Sequence, residues 1–142
     1  MEKDLTTVLE LIDRIKKVHD DKYVKITGDY SDVVFQYHHC FYFADMLNKF
    51  YEDGEYYMRK DGGHVVYRIG DFLYDSIGVV LEKDNYAPFE AEDWLAVETF
   101  MIPNNPLERE KLNYTFNSIV EEVKGTYYPE MLQKVGYSKW FM

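Results

Sequence analysis

CFYFADMLNKFYEDGEYYMRKDGGHVVYRIGDFLYDSIG, residues 40–78, decides how this chain folds. Its opening third reads as a helix. Cys40, Phe43, Ala44, Leu47, Phe50 and Tyr51 recur at helical spacing, with Asp45, Asn48 and Lys49 outside that stripe. Asp53-Gly54 closes it. The remainder reads as strands: residues 55–59, a Lys60-Asp61-Gly62-Gly63 turn, residues 64–69, a two-residue Gly70-Asp71 loop, and a return over residues 72–77. The result is an antiparallel meander following a helix.

The Gly70-Asp71 loop fixes a register. Ile69 faces Phe72, Arg68 faces Leu73, Tyr67 faces Tyr74 and Val66 faces Asp75. Side chains alternate along a strand, so Asp75 shares a face with His64 and stands diagonal to it. Diagonal neighbours lie ~7–8 Å apart, within reach of longer side chains. One turn therefore brings an imidazole and a carboxylate together.

Such a pair is what a thiol nucleophile needs. A free thiol titrates near ~8.5, and both a helix N-terminus and a neighbouring imidazole favour its thiolate. Cys40 sits in a first helical turn, His64 can act as base and then acid, and Asp75 can orient the ring. The same residues also admit a plainer account. Cysteine on an apolar helix face is often a small buried hydrophobe, and His64 and Asp75 can be ordinary strand-end residues.

The segments Cys40-Phe41-Tyr42-Phe43-Ala44, His64-Val65-Val66 and Tyr74-Asp75-Ser76-Ile77-Gly78 resemble the papain-like superfamily, in its NlpC-like and transglutaminase-like branch. The resemblance covers about a quarter of the chain through short motifs. It implies Cys40 as nucleophile toward an amide carbonyl, His64 as base and Asp75 as orienting residue, with a thioester resolved by water or an amine. That family places an oxyanion-hole glutamine upstream of the cysteine. Gln36 is the matching candidate, with His39 as a further oxyanion or substrate-binding candidate. Where the family often has Trp after the cysteine, this chain has Phe41.

Composition narrows the partners. With 16 Lys+Arg against 26 Asp+Glu, the net charge is −10, which repels phosphate backbones and argues against direct nucleic-acid binding. The same acidity suits a non-catalytic alternative, a phage-encoded inhibitor or decoy of a basic partner. No apolar run reaches the ~20 residues of a membrane span, and MEKDLTTVLELID lacks the layout of a signal peptide. With a single cysteine, the expectation is a cytoplasmic protein acting on a protein or peptide substrate, or held by a basic protein partner. His38, His39 and Cys40 are consecutive and match no zinc spacing, and Asp61-Gly62-Gly63 matches no phosphate or calcium loop, so no metal and no cofactor is expected.

The flanks complete an α+β domain over residues 1–142: an antiparallel sheet of three or more strands, with the Cys40 helix packed on it and further helices around. Residues 5–19 form an amphipathic helix through Val8, Leu11, Ile12, Ile15 and Val18, with a Thr7–Glu10 capping box. Residues 23–26 read as a short strand, residues 32–39 as strand or a buried approach to the helix, residues 81–88 as loop and residues 91–100 as a short helix. A long helix runs through Leu112, Phe116, Ile119, Val120 and Val123 and stops at Gly125. Pro129 opens a last short helix ending near Gly136, before an aromatic tail over residues 137–142.

Overall fold

The apolar stripes read from the sequence become the core. The computed structural model describes the backbone of residues 2–134 and the side chains of residues 2–126. Helix α1, Leu5–Lys22, buries Val8, Leu11, Ile12, Ile15 and Val18. Its cap is Asp4, whose carboxylate accepts from the Thr7 N–H at 3.2 Å, so the expected Thr7–Glu10 box gives way to a cap three residues earlier.

Residues 23–26 are not a strand. Val24–Thr27 forms a helical turn, α2, closed by Gly28 in the left-handed region (φ 100°), whose N–H donates to the Val24 carbonyl. Buried His19 pins this turn to α1. Its Nε2 lies 2.6 Å from Thr27 Oγ1 and its Nδ1 2.8 Å from Asp20, while Asp20 also accepts from Ser31. Residues 32–38 are likewise helical, a buried approach to the Cys40 helix rather than a strand, and His39 breaks the helix before Cys40. Ser31–Val33 (α3) runs into a π-helical segment over Val34–His38, with Val34 and Phe35 buried. Burial of these two side chains overrides the strand preference of the Val33-Val34 pair.

Helix α4, Cys40–Phe50, is more buried than its stripe requires. Phe41, Tyr42 and Met46 join Cys40, Phe43, Ala44, Leu47 and Phe50 in the interior. The reason is its position, with β-sheet on one side and α6 on another. The sheet is antiparallel and five-stranded: β1 Glu55–Arg59, β2 Val65–Ile69, β3 Phe72–Asp75, β4 Gly78–Val79 and β5 Tyr86–Pro88, ordered β4-β3-β2-β1-β5. The chain is thus α+β, with helices packed on an antiparallel sheet. The β2–β3 register is the expected one, Tyr67 opposite Tyr74, Arg68 opposite Leu73 and Ile69 opposite Phe72. Gly70 takes φ +60°, and among the described residues no non-glycine has positive φ, so Asp71 does not, the pattern of a type II′ turn. Residues 81–88 are not all loop, since β5 pairs with the free edge of β1, Met58 opposite Ala87.

Residues 91–100 form α5, Ala91–Ala96, continued by a π-helical turn over Val97–Met101. Helix α6 runs over Pro106–Lys134 and buries Leu112, Phe116, Ile119, Val120 and Val123 against α1 and α4. It does not stop at Gly125, and no separate helix opens at Pro129. Gly125 is solvent-exposed with open space around it, and an interior glycine costs a helix only about 1 kcal/mol, less than the anchoring stripe supplies. The aromatic tail over residues 137–142 lies outside the described residues.

Candidate active site

The turn before β2 delivers His64. Asp61 accepts from the Gly63 N–H and from Arg59 Nε, each at 2.8 Å, while Gly62 adopts φ +82°. The Arg59 N–H donates to the His64 carbonyl at 2.8 Å, fixing the backbone as it enters the strand. The His64 side chain is buried. Its Nε2 lies 3.1 Å from Asp75 Oδ2, so the diagonal pair expected from the register is in contact.

Cys40 is the first residue of α4 and reaches the start of β2, where the Val65 N–H donates to its sulfur at 3.4 Å. The sulfur also bears on the His64 ring. Burial alone would lower the His64 pKa, but hydrogen bonds and charge from Asp75 and Cys40 raise it to about 9. Nε2 is the ring nitrogen turned to Asp75. Asp75 is held as the anion. Burial would raise its pKa, yet His64, the Ile77 N–H at 2.9 Å and the Gln36 amide together hold it below the ordinary carboxylate range.

Gln36 therefore serves the far side of the constellation. Its Nε2 donates to buried Ser76 Oγ at 2.9 Å, and its amide also bonds Asp75. It contacts the carboxylate end of the Cys40–His64–Asp75 row. His39 turns elsewhere. It packs edge-on against Tyr42 and Phe116 and borders a second cavity, about 560 Å³, with His38 and Phe100. Burial and the charge of His38 depress its pKa, and its Nδ1 is buried without a hydrogen-bond partner. The structure thus gathers Cys40, His64, Asp75 and Gln36 and leaves His39 apart.

A cavity of about 510 Å³ opens beside His64 and Asp75. Tyr37, Ile77, Leu81, Tyr86, Arg59 and Glu82 line it. Cys40 does not line it and is 8 % exposed. The sequence reading missed several of these neighbours. Val65 contributes through its backbone, which no side-chain pattern reveals, and Tyr86 lies 6.4 Å from the His64 ring in a segment expected to be loop. Ser76 was readable only as the residue after Asp75. Among the described residues, no group of three or more His, Cys, Asp or Glu could hold a metal ion, and no helix is long and apolar enough to cross a membrane. In comparisons with known proteins, no family model, no curated protein and no solved structure matches the chain.

Proposed function

We propose that this protein is a cysteine hydrolase or acyltransferase acting on an amide or isopeptide bond of a protein or peptide. The observation that carries this reading is the His64 ring, set between the Asp75 carboxylate and the sulfur of a cysteine that begins a helix. The ring nitrogen facing Cys40 takes the thiol proton, and the sulfur adds to the substrate carbonyl. Collapse of the adduct breaks the C–N bond, with the His64 imidazolium protonating the leaving amine. Water or an acceptor amine, losing its proton to His64, then attacks the thioester and releases the thiol. The thiol opens helix α4, accepts from the Val65 N–H at 3.4 Å and lies beside the His64 ring. A working free thiol fits the cytoplasm, and the net charge of −10 fits a protein that avoids nucleic acid.

The test is chemical. An iodoacetamide-type electrophile should label Cys40 in the folded protein, and His64→Ala should slow labelling. An unlabelled Cys40, or one labelled equally fast in both proteins, removes the basis of the reading.

One observation favours a second reading. Cys40 is nearly enclosed and stands off the cavity wall, as a packed hydrophobe would. In that case the protein is an acidic, non-catalytic inhibitor or decoy of a basic partner, and Cys40→Ala leaves its function intact. The complex should then weaken with salt and with neutralisation of surface carboxylates.

A further inference from the structure

The cavity beside His64 has a rim that the thiol chemistry does not use. Three large side chains stand in solvent around its mouth: Tyr37 is 79 % exposed, Ile77 64 % and Leu81 87 %. Isolated exposed hydrophobes are ordinary, but three sharing one cavity mouth form a surface suited to an apolar side chain. Their origins differ, Tyr37 from the π-helical segment before α4, Ile77 from the β3–β4 turn and Leu81 from the loop after β4.

Charge at the mouth is one-sided. Arg59 lines the wall, but Asp61 pairs with it at 2.8 Å. His64 is matched by Asp75. Glu82 is exposed beside Leu81 and forms no side-chain ion pair among the described residues. An unpaired carboxylate next to apolar side chains, on a chain of net charge −10, complements a cation that follows an apolar group.

We infer that this cavity binds an extended peptide segment in which an apolar residue is followed by a lysine or arginine, the apolar side chain seated among Tyr37, Ile77 and Leu81 and the cation held by Glu82. The volume, about 510 Å³, lies within the ~300–1,000 Å³ of small-ligand sites. Under the hydrolase reading this segment is the part of the substrate that docks beside the scissile bond, and that use rests on that reading. Binding itself does not depend on the thiol.

The experiment is fluorescence anisotropy on the full chain carrying Cys40→Ala, which separates docking from turnover. The probes are short Gly/Ser peptides with a central Leu-Lys, Leu-Glu or Gly-Lys pair and a neutral fluorophore. Leu-Lys should bind at least about tenfold more tightly than either of the others, and its advantage over Leu-Glu should shrink with salt. Glu82→Lys should reverse the Lys-over-Glu preference, and Leu81→Ser should weaken binding of both Leu peptides; both residues are exposed, so the variants fold. Equal binding of all three peptides, binding of none, or an unchanged preference in Glu82→Lys overturns the inference. Those results concern the rim alone, because the catalytic reading stands or falls on Cys40 labelling.

Discussion

The backbone N–H of Val65 points at the sulfur of Cys40 across 3.4 Å, so the first residue of α4 and the first residue of β2 share a hydrogen bond. Short of proline, no substitution removes a main-chain donor. His64 can be removed, and its loss should slow alkylation of Cys40 at neutral pH by on the order of 10–100-fold, read by intact-mass time courses. Cys40→Ala should abolish labelling and leave the far-ultraviolet spectrum unchanged.

The His64 pKa makes stability depend on pH, with a definite sign. A pKa raised to about 9 in the folded chain, against ~6.5 unfolded, means the folded state binds this proton more tightly. The stabilisation is complete below about pH 6.5, declines between there and about 9, and is gone above. Asp75→Asn removes a main cause of the shift. The His64 ring should then titrate at lower pH by NMR, and the alkaline fall in urea-unfolding midpoint should begin earlier. An unchanged His64 titration in that variant would sink the assigned coupling.

Asp75 in turn leans on Gln36. Replacing Gln36 by Leu leaves the buried Ser76 hydroxyl without its amide partner and takes a donor from Asp75. The expected cost is about 1–3 kcal/mol in urea unfolding. The Asp75 carboxyl should also titrate higher, since one cause of its depression is gone. Ser76→Ala should cost stability and disturb the Asp75 titration less.

Gly54 is where the α4–β1 connection runs against β2. A Cβ there would collide with the Arg68 carbonyl and approach the Tyr67 ring to 2.5 Å. Tyr67 has little room to yield. It is fully buried, donates to the Tyr51 carbonyl at 2.5 Å and accepts from Asn48 at 2.8 Å. Gly54→Ala should destabilise the fold by about 1–3 kcal/mol or more.

Gly125 gives the opposite result. It is exposed within α6, with open space where an added methyl group would stand. Gly125→Ala should raise stability by about 0.5–1 kcal/mol, seen as a higher thermal midpoint.

These two glycines also show what could be read in advance. Asp53-Gly54 ends a helix where its composition says, because the chain must turn sharply into β1. Gly125 does not, because a weak local preference yields to five buried anchors on one helix face. The His64–Asp75 contact was legible because a two-residue loop leaves one register and side-chain alternation does the rest. Helical turns at Val24–Thr27 and Val34–His38 were not, since the Gly28 cap closes the first and burial of Val34 and Phe35 sets the second, against the strand propensity of their β-branched residues. The direction of the Gln36 amide was also beyond reach, because its partner Ser76 lies 40 positions away.

The sheet's outer strands carry a last consequence. Beyond the long central strands, β4 spans two residues and β5 three, the latter ending in Pro88, which has no N–H to give. Each border offers a visiting backbone only a few unpaired groups. Strand-by-strand growth into a fibre, or recognition of a partner by adding one more strand, has little purchase here.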